Sequence, residues 1–371
     1  MICVNNGKEF LQILEAMSKI NIAPKEQRIN EERPVTKLVI RNGSIQFISV
    51  TSKVHTAFKL NCTMEEKDCL SIELDGIDAA KKISSIIEKD KNLMMEMNQN
   101  HNLLIRGNGA LVMEPVEPKN INFKVIQSPP STCFLAGDLV KAIKCLSLAL
   151  DNNNEVMGKV KVNFNVEDAT LKLTSFNGTL MCVYDVPLED IDDTQKSFSG
   201  LIEGKVLKSI SELIELVKNE TMDLIVEKNL GYIGLSCGDL KVTMPLLQGD
   251  FINCNALLNE AFPQTATFNI KKLKATLISM AKVNKGALSI ETKDSTGIAQ
   301  VEGLTKDIQP LQTNGMKISI PLETLKSLIS VIDDSNVRIL STVKGLIKVC
   351  PETSEDVLFI TTACKECPSS S

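Results

Sequence analysis

Three segments of the chain share one pattern of apolar and polar positions. Ala80 to Ile87, Leu207 to Ile214 and Leu325 to Ile332 each put apolar residues three and four positions apart, with lysine and serine on the opposite face. That spacing predicts amphipathic helices. Each helix is followed by a polar turn and an alternating stretch: Leu93 to Met97, Met222 to Val226 and Val337 to Leu340. Alternation with a period of two predicts half-buried strands. A second helix precedes each of the first, on Phe10-Ile13-Leu14-Met17, on Leu139-Ala142-Ile143-Leu146 and on Leu273-Thr276-Leu277-Met280. Strand material ending near Ile48 to Ser52, Leu173 to Phe176 and Ile290 to Lys293 lies between the two helices of each unit. The pattern is an α+β unit of helix, strands, helix, strands, repeated three times.

Linker chemistry marks the joints, at Gln127-Ser128-Pro129-Pro130-Ser131 and at Ala261-Phe262-Pro263-Gln264-Thr265. The expected domains are residues 1–126, 132–262 and 266–365, with 366–371 a flexible tail. The third unit is shorter. Ile20 to Asp75 spans 55 positions and Leu150 to Glu203 spans 53, but Lys285 to Leu322 spans 37. The expectation is that a strand or hairpin has been lost or redrawn there.

Chemistry-bearing side chains are sparse. The 371 residues include two histidines, His55 in an alternating run and His101 in a turn, neither beside a Ser or Cys partner that would make it a base. Cys364-Lys365-Glu366-Cys367 is the one C-x-x-C, without the second pair that a structural zinc needs. Gly107-Asn108-Gly109 lacks the third glycine of a dinucleotide fingerprint, and no Gly-Lys-Ser/Thr closes a phosphate loop. Asp333-Asp334 and Glu65-Glu66 read as helix-end or loop charges. These features disfavour an enzyme, and no metal or cofactor is expected. A thiol-dependent enzyme would rest on Cys364 and Cys367 alone. Eleven cysteines, an odd number, suit reduced thiols in a cytoplasm. No run approaches the roughly 20 apolar residues of a membrane span. Lys8 and Glu9 stand where a signal peptide would be apolar.

The charge is unevenly sorted. The chain carries a formal −5, yet the six helical segments (7–20, 75–91, 137–150, 203–218, 270–285 and 322–334) sum to +4, leaving −9 on the rest. Most of the excess is Lys271, Lys272, Lys274, Lys282 and Lys285. There are 36 lysines and five arginines. Lysine acts as a point charge on phosphate, whereas base reading favours the arginine fork. Aromatic residues, the stacking platforms of single-strand binders, are 4%. Contact with nucleic acid would therefore be with a duplex backbone, loosely and without sequence preference.

Leu171 to Leu180 (Leu-Lys-Leu-Thr-Ser-Phe-Asn-Gly-Thr-Leu), Val206 to Ile214, Gly231 to Asp239 and Pro245 to Phe251 resemble, in order and spacing, the second domain of the bacterial β sliding clamp family, the processivity subunit of DNA polymerase III. Three repeats of two helices plus strands extend the resemblance over nearly the whole chain. It implies clamp-type domains with helices inside and sheets outside, two chains closing head-to-tail into a six-domain ring around double-stranded DNA. An ATP-dependent clamp loader and a replicative DNA polymerase are the implied partners, and no membrane is. Lys19, Lys81, Lys82, Lys141, Lys144, Lys208, Lys272, Lys274, Lys282, Lys285 and Lys326 would then stand near the channel.

The family also binds short peptides in a cleft between its second and third domains. Its Thr-Asp-Gly-His-Arg-Leu segment falls on Ser175, Phe176, Asn177, Gly178, Thr179 and Leu180, and its Val-Val-Met-Pro strand on Phe359, Ile360, Thr361 and Thr362. Val156, Ile252 and Leu257 align with other lining positions. Gly178-Thr179 stands where the family has His-Arg, and Thr361-Thr362 where it has Met-Pro, so the peptide preference differs. The same positions read equally well as ordinary core and loop residues. A second functional reading, from the short third unit, is a clamp-fold scaffold that binds polymerase or repair proteins without encircling DNA.

Overall fold

The structure is a computed structural model that describes residues 1–20, 35–51, 54–64, 70–87, 92–115, 128–151, 153–192, 195–217, 220–227 and 231–364. The first repeat runs β1 (Ile2–Val4), α1 (Gly7–Ile20), β2 (Val35–Arg41), β3 (Ser44–Val50), β4 (His55–Asn61), β5 (Thr63–Met64), β6 (Leu70–Asp75), α2 (Gly76–Ser84), β7 (Leu93–Met97), β8 (Leu103–Arg106) and β9 (Ala110–Met113). The second runs β10 (Thr132–Leu135), α3 (Ala136–Ser147), β11 (Lys159–Asn165), β12 (Thr170–Phe176), β13 (Leu180–Pro187), β14 (Phe198–Glu203), α4 (Gly204–Leu216), β15 (Thr221–Glu227), β16 (Tyr232–Cys237) and β17 (Leu240–Pro245). A connecting segment carries one turn of helix, α5 (Asn255–Leu258). The third repeat runs β18 (Gln264–Asn269), α6 (Ile270–Ala281), β19 (Ala287–Lys293), β20 (Thr296–Val301), β21 (Leu304–Ile308), β22 (Gln312–Thr313), β23 (Met316–Pro321), α7 (Leu322–Val331), β24 (Asn336–Ser341), β25 (Leu346–Pro351) and β26 (Val357–Thr362).

The chain divides into two compact units, and the division falls within the second repeat. One unit holds residues 1–140, 187–196 and 205–248, and the other 141–186, 197–204 and 249–371. The first contains a five-stranded sheet, β5-β1-β7-β8-β9, and an eight-stranded sheet, β10-β15-β16-β17-β4-β3-β2-β6. The eight-stranded sheet joins two repeats through β17 and β4, antiparallel with Leu240 opposite Phe58 and Thr243 opposite His55. The second unit contains a nine-stranded sheet, β14-β11-β12-β13-β26-β25-β24-β18-β22, and a four-stranded sheet, β21-β20-β19-β23. Its joint is β13 against β26, with Leu180 opposite Thr361 and Tyr184 opposite Val357. The three-domain partition expected from the linkers remains a reading of the sequence, and its tail, 366–371, lies outside the described residues.

Local chemistry explains the recurring strand-to-helix step. Asp75 ends β6 in extended geometry, and its carboxylate accepts from the amides of Ile77 and Asp78. Asn269 does the same for Lys272 at the start of α6. Each supplies an acceptor to amides that have no partner within the helix. At the start of α4 the chain passes so close to its neighbour that a Cβ on Gly204 would meet the Gly158 carbonyl oxygen at 2.7 Å. Only glycine fits there. The buried stripe of α1, with Phe10, Ile13, Leu14 and Met17, packs on β3, where the Phe10 and Phe47 rings lie 5.0 Å apart. In the second unit Phe164 and Phe198 stack at 5.4 Å.

Two expectations need correction. The third repeat has lost no strand between its helices: β19, β20, β21 and β23 stand in the same order as β11, β12, β13 and β14. The shortening falls on connections. Residues 282–286 join α6 to β19, where 148–158 join α3 to β11. The tight joint is possible because the amides of Val283 and Asn284 both return to the Met280 carbonyl, while the Asn284 side chain accepts from the Gly286 amide. Helix α2 is also shorter than its apolar pattern. It stops at Ser84, where the Ser84 and Ser85 hydroxyls donate to the carbonyls of Lys81 and Lys82. Residues 88–91 lie outside the described set, as do Glu65-Glu66.

Asp333-Asp334 is the helix-end feature that its sequence suggested. Asp334 holds the turn from α7 to β24, one oxygen accepting from the Ser335 and Asn336 amides and the other from the Thr353 amide and hydroxyl. Burial raises this carboxyl's pKa, but the Thr353 and backbone hydrogen bonds outweigh it and hold the value at about 2. A folded-state pKa below the unfolded one stabilises the protein above about pH 4, and the contribution is lost as pH falls through about 2. Asp334→Asn should therefore lower the thermal unfolding midpoint at neutral pH, with the gap from the parent closing between about pH 4 and 2. A gap independent of pH would show that the charge contributes nothing.

Candidate functional site

The helices leave their lysines on the wet side of each apolar stripe. In α6, Leu273, Leu277 and Met280 are buried while Lys272 is exposed and Lys274 half-buried; Lys282 and Lys285 follow, exposed, just past its end. Lys81 and Lys208 are likewise exposed on α2 and α4, and among the described residues these six form no ion pair. Others are neutralised locally. Lys19 reaches Glu212 of α4 at 2.6 Å, Lys82 reaches Asp78 at 2.6 Å, Lys141 reaches Asp333 at 3.2 Å, and Lys326 pairs with Glu323. Lys144 is exposed on α3 and also interacts with its surroundings. Exposed pairs of this kind are worth about 0–1 kcal/mol, so they restrain a lysine more than they stabilise the fold. Of these six unpaired candidate lysines, four stand on or just beyond α6.

A second feature lies wholly within one unit. Between β12 and β13 the chain turns at Asn177-Gly178-Thr179. The Asn177 side-chain oxygen accepts from the Thr179 amide at 3.1 Å, the Thr179 hydroxyl at 3.1 Å and the Leu180 amide at 2.9 Å. Gly178 takes a φ of 94°, open to glycine and strained for a side chain. The Thr361 hydroxyl donates to the Thr179 carbonyl at 3.1 Å, which fixes the turn against β26. Helix α7 closes the other wall with Glu323, Thr324, Ser327 and Leu328. The result is a cavity of about 470 Å³ that also takes in Leu148, Leu180, Thr362 and Cys364.

The aligned peptide-site residues divide between two faces of this sheet. Asn177, Thr179, Leu180 and Thr361 line the cavity, and Gly178 shapes its turn. Ile252, Leu257 and Ile360 sit elsewhere, in an apolar cluster with Met181, Val183 and Cys254. Strand alternation sets this division, because Leu180 opposes Thr361 while Met181 opposes Ile360 on the other face. Ser175 is fully buried and donates to the Leu146 carbonyl at 2.9 Å. Phe359 is fully buried opposite Cys182. Val156 is 47% exposed, in a turn whose next residue, Met157, lies beside Gly178.

No group of three or more potential metal ligands occurs among the described residues. Cys364 shares a 3.3 Å contact with Ser319, and Cys367 lies outside the described residues. Burial pushes the Cys145 thiol up to about 12 and raises those of Cys182, Cys254 and Cys350, which keeps them protonated and unreactive. His55 lies in β4 and His101 in a turn at φ 60°.

This architecture is found in known proteins. The DNA polymerase III β subunit of Thermotoga maritima superposes with a TM-score of 0.79 at 11% identity, covering 99% of this chain and 100% of that one. The DNA polymerase III β chain of Streptococcus pneumoniae gives 0.77 at 17% identity, covering 98% and 99%. The chain has the sliding-clamp fold. In sequence it is 25% identical over 198 residues to the β sliding clamp of Halalkalibacterium halodurans, a match covering 49% of this chain and 50% of that protein. The chain thus matches about half the length of that curated relative. No family model matches it. In fold, and in sequence over about half its length, the chain is similar to β sliding clamps, the family its second repeat resembles.

Within the clamp fold, sequence reasoning missed Glu323, Thr324 and Ser327 as cavity walls, because α7 approaches the turn only through tertiary packing. The i,i+4 spacing of Asp78 and Lys82 and the i,i+3 spacing of Glu323 and Lys326 could have flagged two of the neutralised lysines. Phe359→Ala should destabilise the protein by about 3–5 kcal/mol in equilibrium urea unfolding, as expected for a fully buried ring. A loss below about 1 kcal/mol would mean that Phe359 faces a ligand instead of the core.

Proposed function

We propose that this protein is a DNA sliding clamp: a homodimeric ring that encircles duplex DNA and tethers a replicative DNA polymerase, without catalysis of its own. The observation that carries the reading is the pair of unmatched sheet ends. Strands β17 and β26 hold one place in the second and third repeats, and β9 holds that place in the first. Strands β4 and β13 are each joined to such a strand, and β21 is their counterpart. Among the described residues β9 and β21 have no partner beyond β8 and β20. A second copy, turned head-to-tail, supplies each with what it lacks.

The internal joint also suggests a register. Carrying the β17–β4 pairing over puts Gly109 opposite Lys306, and Leu111 opposite Leu304. Facing agrees with this. Leu111 and Met113 pair with the buried Ile105 and Leu103, and Lys306 turns inward to the Ser279 hydroxyl on α6. In such a ring the unpaired lysines would meet phosphates as mobile point charges, and Lys19, Lys82, Lys141, Lys144 and Lys326 would contribute less. Retention would come from topology, so weak contact permits sliding. The cavity beside Asn177 would receive short peptide segments of the polymerase and other clients, and an ATP-dependent loader would open the ring. No helix among the described residues is long and apolar enough to cross a membrane, in keeping with action in the cytoplasm.

Two experiments test the reading. Loaded onto nicked circular DNA, the protein should remain bound and then dissociate once the circle is linearised; equal release from both forms would overturn encirclement. In sedimentation the parent should run at twice 40.7 kDa. Gly109→Lys sets a like charge against Lys306 and Gly109→Glu an opposite one, so the lysine variant should dissociate at least about fivefold more readily. Equal behaviour of the two would refute the register, and a monomeric parent would favour a scaffold that does not encircle DNA.

A further inference from the structure

We infer that the joint between two copies is the weak joint of the ring, because the helix-to-helix ion pair that braces each internal joint has no counterpart there. This rests on the proposed head-to-tail ring and names the contact that sets the strength of its seam.

Each internal joint has two layers. Beside the ladder of β17 on β4, Lys19 at the end of α1 reaches Glu212 of α4 at 2.6 Å. Beside the ladder of β13 on β26, Lys141 of α3 reaches Asp333, just past α7, at 3.2 Å, and the Cys145 thiol approaches the Val331 carbonyl at 3.9 Å. In both, the first helix of one repeat meets the second helix of the next. The same step taken between copies brings α6 of one chain to α2 of the other.

Both helices are bare where that step would cover them. Aligning Phe10, Leu139 and Leu273 puts Ser279 in the place of Ala16 and Cys145, and Val283 in the place of Ile20 and Ala149. Those four counterparts are buried, whereas Ser279 is half-buried and Val283 is 57% exposed. Val283 stands beside Gly303, in the turn that leads into the open edge strand β21. Aligning Ala80, Leu207 and Leu325 puts Ser84, which is exposed, in the place of Ser211 and Ile329, both buried. A second copy is the occupant that continues the seam from the edge of β21 onto this face.

The charges do not repeat. Lys282 stands where Lys19 does, but Ser85 stands where Glu212 does, and Ala275 stands where Lys141 does. Neither bridge can form again across the seam. Ser85 is exposed and its hydroxyl donates to the Lys82 carbonyl, so its place has room for a longer side chain. The internal joints have chain continuity and an ion pair besides their ladders. The seam has its ladder and apolar contact alone, the distribution that suits a ring parting at one place to admit a duplex. One exposed pair is weak, but a closed dimer has two seams, so each pair counts twice when it dissociates.

The test is the dimer dissociation constant without DNA, by sedimentation equilibrium, of the parent, Ser85→Glu and Ser85→Gln, each with and without Lys282→Gln. Ser85→Gln controls for loss of the hydroxyl at the helix end. Ser85→Glu should dimerise at least threefold more tightly than Ser85→Gln, and the gain should vanish with Lys282→Gln and in about 1 M salt. Lys282→Gln alone should shift the parent less than twofold. Ser85→Glu no tighter than Ser85→Gln, a gain that survives Lys282→Gln, or a parent weakened by Lys282→Gln would each overturn this inference and leave the ring standing. A monomeric parent would overturn both.

Discussion

A β-strand at the end of a sheet presents a row of amides and carbonyls that only another strand, water or a covering segment can satisfy. That constraint organises this protein. Repeats one and two share an eight-stranded sheet through β17 and β4, and repeats two and three a nine-stranded sheet through β13 and β26. Neither joint is a loose domain contact. Each is a continuous antiparallel ladder whose inner face is core: Leu240 and Phe58 in one, Phe359 and Cys182 in the other. A three-repeat chain built this way makes two joints internally and is left with one β9-type and one β21-type end. Head-to-tail closure is the arrangement that repeats the same joint without inventing a new one.

Electrostatics then divides the helices by role. Carboxylates within a turn or across a helix pair hold Lys19, Lys82, Lys141 and Lys326, whereas Lys271, Lys272, Lys274, Lys282 and Lys285 crowd one short stretch with no acidic residue between them. In a protein of net charge −5, that stretch is a local run of positive charge. Glu323 shows the reverse case, the one charged group among the described residues that line the cavity, with one oxygen paired to Lys326.

Much of the fold was legible in the chain. The starts of all six long helices were readable because their apolar residues keep helical spacing, and the strands after them because alternation is unbroken. The missing strand of the third repeat was misread because sequence length does not say whether a deletion falls in a strand or in a connection; Met280, Asn284 and Gly286 close a five-residue joint that leaves every strand in place. The candidate peptide site was half legible. Asn177, Thr179, Leu180 and Thr361, placed by family resemblance, line one cavity, while Ile360 lies on the other face of its strand in a cluster with Ile252 and Leu257.

What the sequence alone determined is whatever depends on near neighbours: helix stripes, strand alternation, the Asn177-Gly178 turn, the sign and density of charge along α6. These are set by spacing of a few residues and survive any arrangement of the rest. What the tertiary structure decided is which distant elements share a face. The junction of β13 with β26 joins residues about 180 positions apart, and the approach of α7 to the Asn177 turn brings Glu323 to a wall 146 positions away from it. Such contacts carry no local signature, because the side chains that meet across them are ordinary core and helix residues until the backbone has brought them together.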